Sequence, residues 1–160
     1  MNADALRVAI ALGSNMLDRR ELLRSGQAAI AHLEGVRLLG VSTVEETEPF
    51  GPPQPSYLNQ MALVETTLTL SALLHALQTI ELQHGRERSV VNGPRTLDLD
   101  IVWAEQPAIA TDELLVPHPG LNDRDFWQRE LAELLGVSDA ADAITAAQVH
   151  TGLDTGRRSA

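Results

Sequence analysis

Two carboxylates separated by a single residue, Asp98 and Asp100, stand in the middle of this 160-residue chain. Apolar residues alternate with them, and this alternation predicts a β-strand in which both carboxylates share one face. Two negative charges on one face of a half-buried strand are costly unless a cation offsets them. Mg²⁺ is often held by one or two carboxylates together with substrate phosphates. The residues alone leave two interpretations open, a metal site or a solvated strand face.

Three arginines, Arg86, Arg88 and Arg95, lie close to this strand in a chain whose net charge is −10. A guanidinium group contacts phosphate oxygens through two parallel hydrogen bonds, and Arg95 stands at the start of the strand. The alternative is an ordinary solvated basic loop. Taken together with the two carboxylates, the arginines favour a metal-bound polyphosphate as the ligand.

The composition restricts the class of protein. With 160 residues, 44% of them apolar, we expect a single domain with an ordinary core. The chain has no cysteine, which leaves no disulfide framework and no thiolate chemistry. Its net charge of −10 argues against nucleic acid as the main partner, and no apolar run is long enough to cross a membrane. We expect a cytoplasmic monomer, with residues 1–150 in one domain and a disordered tail at 151–160.

Apolar periodicity and turn residues predict the elements that position these groups. Strands are expected at 7–12, at 36–47 with a bulge, at 57–65 and after Gly93-Pro94. Helices are expected at 18–32, 71–84, 125–135 and 138–148. Asp18 and Ser71 are predicted to cap the first two helices. Four prolines between positions 48 and 56 predict a stiff loop.

The string Gly93-Pro94-Arg95-Thr96-Leu97-Asp98-Leu99-Asp100-Ile101 resembles the signature of the 6-hydroxymethyl-7,8-dihydropterin pyrophosphokinase family. Gly13-Ser14-Asn15 and Val116-Pro117-His118 resemble further family motifs in the family order, so that the resemblance runs from about Val8 to Phe126. It implies an α+β sandwich with a mainly antiparallel sheet, ferredoxin-like at its centre, and helices packed outside. It also implies transfer of pyrophosphate from ATP to the pterin alcohol, with release of AMP, in folate biosynthesis.

The resemblance also implies roles for individual residues. The implied catalytic residues are Arg86, Arg95, Asp98 and Asp100, and the two carboxylates among them would hold two Mg²⁺ ions. The implied nucleotide-binding residues are Leu74, Gln78, Glu81, Arg88, Ile101, Leu115, His118 and Arg124. The implied pterin-binding residues are Thr47, Pro49, Phe50, Tyr57, Asn59 and Phe126. Such a site needs no protein nucleophile, because positioning and electrostatics would supply most of the rate.

The chain departs from the family pattern at residues 89–92, which carry neither a cation nor an aromatic ring. Two other classes of function therefore stay open. One is a non-catalytic nucleotide- or pterin-binding domain derived from this family, and the other is a ferredoxin-like interaction module with a solvated Asp pair. Release of AMP that requires both Mg²⁺ and the pterin alcohol distinguishes the enzyme from both, and calorimetry with Mg-ATP distinguishes the two from each other.

Overall fold

The structure is a computed structural model and describes residues 5–16, 18–49, 51, 53–85 and 97–138. Its strands are β1 (Leu6–Ser14), β2 (Val36–Val41), β3 (Glu45–Thr47), β4 (Tyr57–Thr66), β5 (Asp98–Ala104), β6 (Ile109–Ala110) and β7 (Leu115–Val116). Its α-helices are α1 (Arg19–Ala31), α2 (Leu70–Gln83) and α3 (Asp125–Leu135), and a 3-10 helix spans Pro119–Asn122. Within this described part, no helix is long and apolar enough to span a membrane. Outside it lie Phe50, Arg86, Arg88, Arg95, all but the first residue of the helix predicted at 138–148, and the tail 151–160.

The main sheet is antiparallel, and its strands lie in the order β2-β4-β1-β5. The short strand β3 pairs with β4 along the same edge that β2 occupies further on. Because α1 follows the central strand β1 and α2 follows β4, the connections repeat the ferredoxin-like order of strand, helix, strand, strand, helix and strand. The α+β fold and the antiparallel sheet expected from the sequence are therefore confirmed.

Helices cover both faces of this sheet, and the side chains of β1 alternate between them. Val8, Ile10 and Leu12 point to one face and pack in a core with α1 and α2. Ala9 and Ala11 point to the other face and belong to a second core, with α3. The predicted alternation in β5 is confirmed, because the large core on the α1 and α2 side includes Leu97, Leu99 and Ile101. Asp98 and Asp100 are therefore left on the α3 side.

The single strand predicted over 36–47 is interrupted, and this part of the prediction is wrong. The register shifts between Leu38 and Gly40, where the bulge was expected, but β2 also ends at Val41. Ser42 then pairs with Met61 partly through its side chain: the Met61 N–H donates to Ser42 Oγ (2.9 Å), while the Ser42 N–H donates to Met61 O (2.8 Å). Because the Ser42 hydroxyl takes the place of a backbone acceptor, the regular backbone pairing with β4 is interrupted here, and it resumes at β3.

The predicted caps of the first two helices have different outcomes. Asp18 caps α1 as expected, with its carboxylate accepting the Glu21 N–H at 3.2 Å. The cap of α2 is Thr69 and not Ser71, because Thr69 Oγ1 accepts the Ala72 N–H at 3.1 Å. Ser71 lies inside the helix, and its hydroxyl donates to Glu113 at 2.6 Å.

Candidate active site

A cleft of about 230 Å³ opens on the α3 face of the sheet. Strands β1, β4 and β5 form its floor, and the segment from the 3-10 helix into α3 forms one wall. The residues that line it include many of those singled out in the sequence, namely Thr47, Tyr57, Asn59, Asp98, Asp100, His118, Arg124 and Phe126. The structure thus brings together in one cleft the two carboxylates, the guanidinium group of Arg124 and several of the residues expected to bind the pterin.

The two carboxylates face a strip of small residues on the neighbouring strand. In the antiparallel register, Asp98 lies opposite Gly13 and Asp100 lies opposite Ala11. Both aspartates are half-buried, and the small neighbours leave space in front of them. Because two carboxylates separated by one residue converge on the same space, the arrangement suits a hard divalent cation that brings further oxygen ligands with it.

Two contacts on the opposite side of the sheet hold the start of β5 in place. Glu81 of α2 is 1% exposed, and its Oε2 accepts the Leu99 N–H at 2.7 Å, between the two aspartates. Gly26 of α1 lies against Leu97, and a Cβ atom at Gly26 would stand 3.1 Å from Leu97 Cδ2. The bare glycine lets the helix approach the strand closely. The positions of the carboxylates therefore depend on both α1 and α2.

His118 presents one ring nitrogen to the carboxylates and uses the other for local structure. Its Nδ1 accepts the Gly120 N–H at 2.9 Å as the cap of the 3-10 helix. A neutral ring then carries its proton on Nε2, which lies 4.0 Å from Asp100 Oδ1. Burial, followed by the charge of Arg124, lowers the pKa of His118, and the charge of Asp98 opposes this effect only in part. At neutral pH the ring is an uncharged donor that faces the cleft.

The other end of the cleft is flat and combines rings with an amide. Asn59 is 7% exposed, and its Nδ2 donates to Thr47 Oγ1 at 2.6 Å, which fixes the orientation of the amide group. Its Oδ1 lies beside Gly13, where a Cβ atom would approach to 3.3 Å. Tyr57 and Phe126 add aromatic surface. Such a pocket suits a flat heterocycle whose edge carries amide-like donors and acceptors.

The segment Gly13-Ser14-Asn15, whose first two residues end β1, ties the proline-rich loop to this end of the cleft. Asn15 is 1% exposed, and its Nδ2 donates to Gln54 Oε1 at 2.8 Å and to Pro55 O at 2.9 Å. From the first turn of α1, Arg19 donates to Ser56 O at 2.9 Å. These bonds hold the end of the loop next to Tyr57 without any regular secondary structure.

The family model described as 7,8-dihydro-6-hydroxymethylpterin-pyrophosphokinase matches residues 9–136 of the chain. The chain belongs to this family. It is 41% identical over 129 residues to the 2-amino-4-hydroxy-6-hydroxymethyldihydropteridine pyrophosphokinase of Pseudomonas aeruginosa, covering 80% of each protein. It is also 41% identical over 126 residues to the protein of that name from Bacillus subtilis, covering 78% of this chain and 75% of the relative. It is 39% identical to the folic acid synthesis protein fol1 of Schizosaccharomyces pombe, of whose length it spans 17%.

Several residues that the pyrophosphokinase resemblance implies for the nucleotide or the pterin do not line the cleft. Leu74 and Gln78 are half-buried on α2, on the opposite side of the sheet, where Glu81 is buried. The side chain of Ile101 is in the large core, Leu115 is 46% exposed on β7, and Pro49 lies in the proline-rich loop. Their contacts with substrates stay predictions, as do those of Phe50, Arg86, Arg88 and Arg95.

The sequence reasoning missed Trp127 and Glu48, which also line the cleft, and did not give Gly13 its steric role. Trp127 follows Arg124 by three residues, a spacing that brings two side chains together on a helix. That spacing was the signal available in the sequence. Nothing in the local pattern of Glu48 indicates the cleft, because its place there depends on how the proline-rich loop packs.

Proposed function

We propose that the cleft on the α3 face is the site at which this chain carries out its family's reaction. That reaction is the transfer of pyrophosphate from ATP to hydroxymethyldihydropterin in folate synthesis. One observation supports this placement above all: the paired carboxylates of β5 and the flat pocket around Asn59 and Phe126 share one cleft. An acceptor bound in the flat pocket would therefore lie beside phosphates bound at Asp98 and Asp100.

At the pterin end, Phe126 would stack on the heterocycle, and Asn59 with Thr47 would read its amide edge. Asn59 Oδ1 accepts hydrogen bonds and faces the cleft beside Gly13, while Thr47 Oγ1 already accepts the Asn59 Nδ2–H and can donate its own proton. A ring with both donors and acceptors on its edge would satisfy these groups. An apolar ring would leave them unpaired at a cost.

At the phosphate end, Asp98 and Asp100 fit Mg²⁺, because they supply hard oxygen donors on one strand face. Among the described residues there is no group of three or more His, Cys, Asp and Glu side chains able to hold a metal ion. The remaining ligands would be phosphate oxygens and water, as is usual for Mg²⁺ in phosphoryl-transfer sites. We propose that Asp98 and Asp100 would hold two ions there, which when bound would offset the negative charge of the phosphates.

In the transfer, the hydroxymethyl oxygen of the pterin attacks the β-phosphorus of ATP in line with the leaving oxygen. A bond forms between that oxygen and the β-phosphorus, the bond from the β-phosphorus to the oxygen bridging to the α-phosphorus breaks, and AMP leaves. The pterin hydroxyl loses its proton to solvent. Arg124 and the Nε2–H of His118 would contact phosphate oxygens from the cleft wall, and Arg86 and Arg95 are proposed to do so from outside the described residues.

A single assay tests this proposal: AMP release by the purified full chain, followed with ATP, the pterin alcohol and Mg²⁺ and with each of the three omitted in turn. We expect release only when all three are present. Binding of Mg-ATP in calorimetry without any AMP release would instead indicate a non-catalytic binding domain. Absence of both would indicate an interaction module and refute the proposed site.

We also propose that the protein acts in the cytoplasm as a monomer. The net charge of −10 opposes self-association. Light scattering coupled to size-exclusion chromatography tests the oligomeric state, and a stable dimer that loses activity on dilution would contradict the proposal.

A further inference from the structure

Trp127 contacts two of the polar groups that face the cleft. It lies in the first turn of α3 and is 4% exposed. The guanidinium carbon of Arg124 stands 4.3 Å from the centre of its ring, in a cation–π contact. The ring of His118 meets it edge-on, with ring centres 4.9 Å apart and an interplanar angle of 88°. One buried indole thus contacts both the cation and the imidazole of the proposed phosphate end.

Gly120 limits Arg124 from a second direction. A Cβ atom at Gly120 would clash with the Nη1 atom of Arg124 and would stand 3.1 Å from His118 Nδ1. The missing side chain lets the 3-10 turn approach the guanidinium group, while the Gly120 N–H also donates to His118 at 2.9 Å. Arg124 is therefore confined by the indole ring and by a bare stretch of backbone.

We propose that Trp127 is a positioning residue, which together with Gly120 clamps Arg124 and His118 in the orientation that binds the nucleotide phosphates. When a guanidinium group stacks on an aromatic ring, the contact is made by the flat face of the group. Its N–H donors lie in the guanidinium plane and take no part in the stacking. An arginine that is held before the ligand arrives loses less side-chain freedom on binding. The inference rests on the proposed role of Arg124 and His118 at the nucleotide.

The test compares Trp127→Leu, Trp127→Phe and Arg124→Gln, each titrated with a non-hydrolysable ATP analogue plus Mg²⁺ and, separately, with the pterin alcohol. We expect Trp127→Leu to weaken binding of the analogue about 5- to 30-fold, the factor that corresponds to about 1–2 kcal/mol for a desolvated cation–π contact. Pterin binding should change less than twofold. Trp127→Phe keeps a ring face and should recover most of the loss.

The double variant shows whether Trp127 acts through Arg124. In the Arg124→Gln background, Trp127→Leu should cause a clearly smaller additional loss of affinity for the analogue than it causes in the wild type, because one of the two groups that it positions is gone. Trp103→Leu is the matched control, since Trp103 is 3% exposed in the same core and does not line the cleft. It should lower the melting temperature without a selective loss of nucleotide affinity.

Three results would overturn the clamp. Full additivity of Trp127→Leu and Arg124→Gln would mean that Trp127 acts independently of Arg124. Equal losses for the analogue and for the pterin, matched by Trp103→Leu, would mean a purely structural role. An Arg124→Gln variant with unchanged nucleotide affinity would remove both the clamp and the proposed role of Arg124, whereas failure of the wild type to bind Mg-ATP would refute the proposed function itself.

Discussion

Glu130 is a buried acid in the middle of α3, and its ionisation should make the stability of the protein depend on pH. The side chain is 1% exposed, and among the described residues no donor reaches either of its oxygens. Burial first, and then a hydrogen bond to Glu45 together with the negative charge of Glu45, raises its pKa to about 10. If Glu130 and Glu45 were both ionised, neither could donate a hydrogen bond to the other. Protonated Glu130 can donate to Glu45, and we expect Glu130 to be protonated at neutral pH.

The sign and the size of the effect follow from linkage. Between the ordinary glutamate pKa of 4.5 and about 10, the folded protein holds one proton more than the unfolded chain. The stability that this proton contributes is complete at pH values below 4.5 and is lost as the pH rises through the folded pKa. One proton changes the free energy of unfolding by roughly 1–1.5 kcal/mol per pH unit, or roughly 2–3 kcal/mol between pH 7 and pH 9.

The other described groups with shifted pKa values should not mask this dependence of stability on pH between pH 7 and pH 9. The charges of Arg129 and Glu133 have smaller and mutually opposite effects on the pKa of Glu130, and the pKa of Arg129 is itself raised by its bonds to Glu45 and Asp125. Burial, followed by the charge of Arg124, lowers the pKa of His118, which moves its titration further below this pH range. Of the described groups with a shifted pKa, only Glu130 is expected to hold a different number of protons in the folded and the unfolded protein between pH 7 and pH 9.

Urea unfolding at half-unit intervals from pH 7 to pH 9 measures the slope. Glu130→Gln supplies an N–H donor in place of the acid proton and cannot ionise in the unfolded chain, so it should abolish the slope and be more stable than the wild type at pH 7. Glu133→Gln is the matched control, because it removes a charge from the exposed side of the same helix and should retain the slope. A flat wild-type profile, or a slope that survives in Glu130→Gln, would refute a protonated Glu130.

The remaining predictions concern the cleft and its support. Asp98→Asn and Asp100→Asn should each abolish AMP release while leaving the melting temperature nearly unchanged, because a charge and not a volume is removed from a half-buried face; near-normal turnover at saturating Mg²⁺ would contradict the metal site. Phe126→Ala should weaken pterin binding by about 1–3 kcal/mol and nucleotide binding far less, as calorimetry can measure; equal losses would indicate a general core defect. Gly26→Ala should destabilise the fold by about 1–3 kcal/mol in urea unfolding, since its Cβ would press on Leu97, and unchanged stability would mean that this side chain moves aside.

Local patterns were sufficient where a residue's environment is set by its own neighbours in the sequence. The alternation around Asp98 and Asp100 predicted which side chains enter the core, and the structure confirms it because strand geometry leaves no other choice. The cap at Asp18 was predictable for the same reason, since the donor lies three residues away. The antiparallel, ferredoxin-like sheet followed from the family resemblance carried by these motifs.

Patterns failed where a partner distant in the sequence decides the outcome. Thr69 and Ser71 both have a hydroxyl suitable for a helix cap, and Ser71 is instead engaged by Glu113, 42 positions away. The break at Ser42 depends on its pairing with Met61 on the neighbouring strand. Trp127 looked like an ordinary helix residue, because its contacts with Arg124 and His118 exist only once the 3-10 turn has folded against α3.

The place of the cleft is explained by the size of the residues that β1 directs to each face. Towards α1 and α2 it directs Val8, Ile10 and Leu12, each at most 1% exposed, and these large side chains fill the space beneath the helices. Towards α3 it directs only small residues, Ala9 and Ala11, and the next position on this face is Gly13, which has no side chain. Well-packed cores leave few voids, so volume omitted from a strand stays open unless a neighbour fills it. The neighbours here are Asp98 and Asp100, whose charges cannot be buried against α3, and the space beside Ala11 and Gly13 therefore stays open as the cleft.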